Sequence, residues 1–365
     1  MPNFTRRQAL AVGSGFATSM ITCTQEADAA VSDVDNPQNF NHRFADINGI
    51  RLHYVDEGKG PLVILLHGYP FLWYLWRHQI KALAAAGYRV VALDQRGYGQ
   101  SDTPKNVNSY DITRVVGDVV GLINVLGSRS AVLVGQDWGS PVVYNAALMR
   151  PDLVRGAIIM CGPPSPRGAA RPTDALKQIF TDKGLNFYQL NLATPEASAE
   201  IMKDLRRFLL GVFYSTSGYC PPEKQWRWAW KSPETVSDTV TVPETLPPYL
   251  SQQALDYYVG EFTRTGIQPA NNWFAAIDRS WEITSFLDGA IVQQPALYVG
   301  GGSDPAARPE FGIDRQGQAF KSLRTTFRHM RDIIVMPGVG HTPPEEKPDE
   351  VNAIVLKFLK EIGSW

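Results

Sequence analysis

Val132-Leu133-Val134-Gly135-Gln136-Asp137-Trp138-Gly139-Ser140 is the stretch around which the rest of the chain is arranged. An apolar strand runs into Gly-x-Asp-x-Gly, and a helical pattern follows at once. This is the layout of a nucleophile elbow, a tight strand-to-helix turn that pushes one side chain out of a sheet. Such a turn holds its central residue in a strained conformation, so small residues must flank it. Gly135 and Gly139 supply them. The central residue is Asp137 rather than Ser. A serine suits attack on a carbonyl, whereas a carboxylate suits displacement at a saturated carbon and leaves an alkyl ester on the protein. By itself the motif also reads as an ordinary strand-to-helix turn with a capping Asp.

The flanking sequence supports the first reading. Leu62 to Leu66 is a continuous apolar run, as expected of a strand buried on both faces, and His67-Gly68-Tyr69-Pro70 follows it. Arg89 to Leu93 is the next strand and ends in Asp94-Gln95-Arg96-Gly97-Tyr98-Gly99-Gln100-Ser101-Asp102. Tyr110 to Leu126 reads as a helix stopped by Gly127, Ala131 to Val134 as the elbow strand and Leu153 to Met160 as another strand. Phe44 to Ile47 and Ile50 to Val55 flank Asn48-Gly49, a strong hairpin signal. Alternating strands and helices predict a mostly parallel sheet with helices on both faces.

After Gly162-Pro163-Pro164 the strand rhythm stops, to return near Ala296-Leu297-Tyr298-Val299. The stretch between is rich in helix signals and aromatics. Thr194-Pro195 starts one helix, whose apolar face is predicted to carry Ile201, Leu205, Phe208 and Val212. Ser251 caps another, ending at Gly266, with Leu255, Tyr258, Val259 and Phe262 on one face and Tyr257 on another. Trp226, Trp228 and Trp230 suit packing, with some facing an apolar pocket. The chain therefore divides into a core half over 40–164, an inserted helical lid over 165–280 and a second core half over 281–365. Ahead of them, 1–29 has the form of an export signal.

Two more strand ends complete a constellation. Ala296 to Val299 leads to Gly300-Gly301-Gly302-Ser303-Asp304, and Ile333 to Met336 leads to Pro337-Gly338-Val339-Gly340-His341. Sites in open α/β sheets lie outside the carboxyl ends of the strands. Asp137 would attack carbon. Neutral His341 would take a proton from the water that cleaves the ester, and Asp304 would hold the imidazole's tautomer. With an ordinary pKa of about 6.5, His341 would lose that role in acid. No cofactor and no metal are expected.

Composition sets the remaining limits. The 365 residues are 44% hydrophobic and 19% charged, with a net charge of −1, ample for a large core. No basic tract exceeds Arg6-Arg7 or Arg206-Arg207, which argues against nucleic acid as a partner. Cys23, Cys161 and Cys220 show neither metal-ligand spacing nor a disulfide framework, and Cys161 reads as a buried strand residue. Arg6-Arg7 precedes an apolar run from Ala9 to Ile21, and Ala27-Asp28-Ala29 fits a cleavage site. This resembles a twin-arginine export signal, predicting a periplasmic or extracellular protein. The apolar run is too short to span a bilayer, so no stable membrane association is expected after cleavage. Cys23 also makes a weaker lipoprotein motif. Oligomeric state is left open.

The chain resembles the α/β hydrolases and, within them, the epoxide hydrolases, over about residues 43 to 362. The resemblance rests on His67-Gly68-Tyr69-Pro70, Trp73-Tyr74-Leu75-Trp76-Arg77, the stretch from Asp94 to Asp102, Gln136-Asp137-Trp138-Gly139, and Glu346-x-Pro348 after His341. Lid segments match too: Tyr188-Gln189-Leu190 with Pro195 and Glu200 beyond, and Tyr258-Val259 followed by Asn272-Trp273-Phe274. The resemblance implies a small hydrophobic epoxide and water as substrates, with two lid tyrosines, Tyr188 and Tyr258, donating to the epoxide oxygen. It assigns the backbone N–H groups of Tyr69 and Trp138 to an oxyanion hole, with both residues touching substrate, and a cis bond before Pro70. Gln136 departs from the His that the family usually carries there, and Thr342 from its frequent aromatic.

Rival readings use the same nucleophile. A haloalkane dehalogenase would carry a second halide donor near the oxyanion loop, often an Asn where Tyr69 stands. A haloacetate dehalogenase would set arginines beside the nucleophile, where this chain has Trp138, Gly139, Ser140 and Pro141. A non-catalytic ligand binder on the same scaffold would need none of Asp137, Asp304 and His341.

Overall fold

The structure, a computed structural model, describes residues 34–164, 166–308 and 315–363. The export motif, with Arg6, Arg7 and Cys23, lies outside the described residues. The chain divides into two units, 1–39 and 40–365. Of the first, residues 34–39 are described and include a 3-10 turn at Pro37–Asn39.

The second unit is built on an eight-stranded sheet. Its strands in chain order are β1 His42–Ile47, β2 Ile50–Glu57, β3 Leu62–Leu66, β4 Arg89–Leu93, β5 Ala131–Gln136, β6 Val154–Met160, β9 Val292–Gly301 and β10 Phe327–Met336. A short lid hairpin supplies β7 Asn186–Phe187 and β8 Ala229–Trp230. The spatial order is β1-β2-β4-β3-β5-β6-β9-β10. The β1–β2 and β2–β4 pairs are antiparallel, and the others are parallel. All residues of β3 and β5 are buried, as their apolar runs require, and the polar Gln136 that ends β5 is buried with them. Positive φ at both Asn48 and Gly49 makes the tight β1–β2 turn, the reason for Asn-Gly there.

Several boundaries differ from the sequence reading. The predicted helix from Tyr110 begins instead at Ile112, because the Asp111 side chain caps it by accepting from the Arg114 N–H. β10 reaches back to Phe327, although Arg328, His329, Arg331 and Asp332 break the apolar pattern. It is the edge strand, so its solvent side needs no hydrophobic residues. Cys161 is buried but lies just beyond β6, with φ of 45°.

Lid helices fill the span between β6 and β9, from Pro172–Ile179 to Ile277–Ile283, so the last one passes the expected limit at 280. Thr194 and Ser251 cap Pro195–Ile201 and Gln252–Thr265 through the N–H groups of Ala197 and Ala254. The apolar face expected from Ile201 to Val212 is not one helix. A 3-10 turn at Met202–Asp204 interrupts it, and Asp204 caps a new helix, Leu205–Ser215. Among the described residues no helix is long and apolar enough to cross a membrane.

Candidate active site

The elbow is built as its glycines demand. Asp137 has φ of 50°, a left-handed conformation costly for a residue with a side chain. A Cβ on Gly135 would lie 2.3 Å from the Gly139 carbonyl oxygen, and one on Gly139 would lie 2.1 Å from that of Leu66. Only glycine lets β5, β3 and the helix Gly139–Met149 meet so closely. Asp137 is thereby raised at the carboxyl end of β5, its side chain 23% exposed.

The three predicted chemical groups come together there. His341 Nδ1 lies 2.8 Å from Asp304 Oδ2, and Nε2 lies 3.3 Å from Asp137 Oδ2. Asp304 is only 4% exposed and stands behind the ring, while its other oxygen accepts from the Ala306 N–H at 2.8 Å. The Tyr69 N–H donates to Asp137 Oδ1 at 2.8 Å. Trp138 stands at the N-cap of Gly139–Met149, where backbone N–H groups have no helical partner. The Tyr69–Pro70 bond is cis.

Electrostatics tie His341 to both carboxylates. Burial opposes the charged ring, but the charge of Asp304 and hydrogen bonds with Asp137 and Asp304 outweigh it, raising the pKa well above the ordinary imidazole value. His67 is pushed the other way by burial. Its ring fits a neutral tautomer, with Nδ1–H donating to the Gly68 carbonyl and Nε2 accepting from the Gln95 N–H. It therefore braces the loop that carries the Tyr69 N–H. Cys161 Sγ, Asp304 and His341 place potential ligand atoms within 4.8 Å of one another. The sulfur is already engaged, donating to the Gly340 carbonyl and accepting from the Gly301 N–H, and burial raises its pKa.

Asp137, Trp138, Tyr188 and His341 line two adjoining chambers of about 330 and 60 Å³. Asp304 and Gln189 also face the larger chamber, whereas Tyr69, Trp226 and Phe274 face the smaller. The Tyr188 ring packs edge-on against Trp226 at 4.8 Å, and its hydroxyl accepts from Gln189 Nε2 at 3.0 Å. A wider cleft of about 850 Å³, at Asn48, Arg96, Asp102 and Arg114, touches none of these groups.

Tyr258 is the exception. It is fully buried with Leu255 and Phe262, as its helical face predicts, but it borders neither chamber. Its hydroxyl lies 3.5 Å from Glu345 Oε1, beside the buried Arg77–Glu345 ion pair. Inward on a lid helix and toward the nucleophile are different directions, and helical periodicity distinguishes only inside from outside.

Sequence reading missed several supports of the site. Gln136 donates through Nε2 to the His341 carbonyl at 2.9 Å, so this departure from the family pattern holds the base loop. Glu346 accepts from the N–H groups of Gly340 and Gly218 at 2.9 and 2.8 Å. The motif Glu346-x-Pro348 was the available signal, but its role needs the fold. Of the three lid tryptophans, Trp228 and Trp230 are packing residues, and Trp226 reaches the smaller chamber.

A parallel sheet with an aspartate at its elbow, paired with an Asp–His couple beneath a helical lid, defines an α/β hydrolase that attacks through a carboxylate. Comparison agrees: the model of the alpha/beta hydrolase fold matches residues 61–348. Epoxide hydrolase A of Mycobacterium tuberculosis is 38% identical over 87% of this chain and 96% of its own. Epoxide hydrolase 1 of Siraitia grosvenorii is 32% identical over 89% and 99%. Among solved structures, an epoxide hydrolase from an endophytic Streptomyces superposes with a TM-score of 0.83 at 36% identity, covering 88% of this chain and 96% of the other. Epoxide hydrolase A from Mycobacterium thermoresistibile gives 0.79 at 38%, covering 88% and 98%. The chain belongs to the epoxide hydrolase family of the α/β hydrolases.

Proposed function

We propose that this protein hydrolyses small hydrophobic epoxides to vicinal diols. The observation that carries the reading is Asp137 at the tip of a strained elbow, held by the Tyr69 N–H and 3.3 Å from His341 Nε2. In the first step Asp137 attacks an epoxide carbon, the C–O bond opens, and an ester joins substrate to enzyme. Tyr188 donates to the departing oxygen. In the second step neutral His341, oriented by Asp304, takes a proton from water, and the water adds to the ester carbonyl. The oxyanion that forms meets the N–H groups of Tyr69 and Trp138. The kinship with named epoxide hydrolases supports this reading over dehalogenation.

A single turnover in oxygen-18 water tests it. The first diol should carry unlabelled oxygen from Asp137, and label should then appear in the Asp137 carboxylate. Full labelling of the first diol would mean direct attack by water and would remove Asp137 as nucleophile. Release of halide from chloroalkanes with epoxides left untouched would replace the reading with a dehalogenase.

We further propose that the chain is exported through a twin-arginine signal, on the strength of Arg6-Arg7, the apolar run to Ile21 and Ala27-Asp28-Ala29. Changing both Arg6 and Arg7 to Lys should retain the protein in the cytoplasm on cell fractionation. Normal accumulation outside it would overturn this assignment.

A further inference from the structure

Opening an epoxide places growing negative charge on one oxygen, which has two lone pairs and can accept two hydrogen bonds. Tyr188 supplies one donor. Tyr258, the second that the resemblance implied, faces Glu345 instead. A second hydroxyl must therefore be sought among the residues that line the chambers.

Four described residues with hydroxyl groups line the chambers: Tyr69, Tyr188, Thr216 and Tyr298. Thr216 Oγ1 donates to the Val212 carbonyl at 2.8 Å. The Tyr298 hydroxyl turns back over its own strand, 2.8 Å from where a Cβ on Gly300 would stand. Tyr69 is different. Its hydroxyl is buried and meets no hydrogen-bond partner among the described residues. A phenol shut away from water without a partner is costly. Burial and the Asp137 charge both disfavour ionisation, so the phenol keeps the proton it would donate.

Its position is equally specific. The Tyr69 main chain already holds Asp137 Oδ1. Its ring packs edge-on against Phe274 with centroids 5.0 Å apart, and Phe274 also meets the rings of Trp138 at 5.1 Å and Tyr188 at 6.0 Å. Tyr69 and Tyr188 thus both pack on Phe274, a ring with no hydrogen-bonding group, and both border the smaller chamber with Asp137.

We propose that the Tyr69 hydroxyl is the second acid of this site, donating with Tyr188 to the oxirane oxygen while Asp137 attacks carbon. The proposal rests on the epoxide reading above. In the step an Asp137 oxygen–carbon bond forms, the oxirane C–O bond breaks, and one of the two phenols passes its proton to the alkoxide. When water adds to the ester carbonyl, the acyl C–O bond breaks, the departing alkoxide takes water's second proton by way of the new Asp137 carboxyl, and the proton taken by His341 returns to that phenolate, leaving diol and free enzyme. Tyr69 then serves the reaction twice, with its N–H at the nucleophile and its hydroxyl at the leaving oxygen.

The test uses full-length protein carrying His341→Gln, in which ester accumulates, with a styrene-type oxide as substrate and intact mass as the readout. Adding Tyr69→Phe should slow ester formation about a hundred- to a thousandfold, as loss of an aimed donor does. Adding Tyr188→Phe should act alike. Binding of the matching alkene, which fills the chamber but offers no oxygen, should change less than about twofold, in line with loss of a donor and retention of the ring. An unchanged rate of ester formation in Tyr69→Phe, with Tyr188→Phe slow, would overturn the proposal and leave the epoxide reading standing. Alkene binding weakened by the same factor as the rate would also overturn it, by making Tyr69 a packing residue. Absence of ester in the His341→Gln parent would bring down the epoxide reading itself and the proposal with it.

Discussion

His341 sits between two carboxylates, and its proton affinity depends on both. Asp304 stands behind the ring throughout, but Asp137 loses its charge when it becomes an ester. Both the charge and the hydrogen bond by which Asp137 raises the His341 pKa are then lost or weakened, so alkylation itself helps to make the ring the neutral base that the second step needs. The sign is testable. Asp137→Asn should lower the His341 pKa relative to wild type in a nitrogen-15 NMR titration, and an equal or higher value would contradict the coupling. Hydrolysis of the ester should accordingly fail in acid only below the pKa that the alkylated enzyme shows. Tyr258 makes a second contrast at this scale. Because it borders neither chamber, Tyr258→Phe should keep alkylation within about threefold, whereas Tyr188→Phe should lose about a hundred- to a thousandfold. Comparable losses in single-turnover assays would return Tyr258 to the chemistry.

Among the elements, the elbow and the lid helix Gln252–Thr265 use glycine in opposite ways. Gly139 is where the helix start meets the end of β3, and a methyl group there would collide with the Leu66 carbonyl. Gly260 lies in the lid helix with nothing within 4 Å of a Cβ placed on it. Gly139→Ala should destabilise by about 1–3 kcal/mol or more and displace Asp137. Gly260→Ala should stabilise by about 0.5–1 kcal/mol, through helix propensity. Urea unfolding of the two variants measures both, and a tolerated Gly139→Ala would mean that the elbow is not closely packed. The elbow was legible in the sequence because its constraint is local. The brace on the base loop was not. Gln136 and the His341 carbonyl are 205 residues apart, and Glu346 reaches Gly218 across 128. Separations of that size leave no periodic trace.

At the scale of the whole molecule, a buried ion pair among the described residues joins the two halves of the core. Arg77 Nη1 lies 2.5 and 2.6 Å from the two oxygens of Glu345, 268 residues away, and Tyr258 brings a lid helix to the same point. Both charges are almost wholly enclosed. Removing one takes away the opposite charge that the other faces inside the protein, so Arg77→Met or Glu345→Gln should each cost about 3–5 kcal/mol of stability. Replacing both with apolar residues should cost less than either single change. Equilibrium unfolding of the three variants decides this, and additive losses would mean that the pair does not act as a unit.

The sequence by itself determined the class of fold and the chemical trio. Strands buried on both faces are apolar over most of their length, so β3, β5 and β6 declare themselves despite Gln136 and the exposed Arg155. The residues just past the strand ends, Asp137, Asp304 and His341, follow from that order and from turns that only glycine can make. The edge strand β10 escaped notice over Phe327 to Asp332 for the same reason, since one side of it need not be buried. Tertiary structure alone decided which tyrosines border the chambers that hold the nucleophile. Helical periodicity states that Tyr258 is inside and cannot say what it meets there. That depends on how the lid lies across the core, an arrangement set by packing among segments far apart in the chain. It turned Tyr258 toward Glu345 and left Tyr188 and Tyr69 around Asp137.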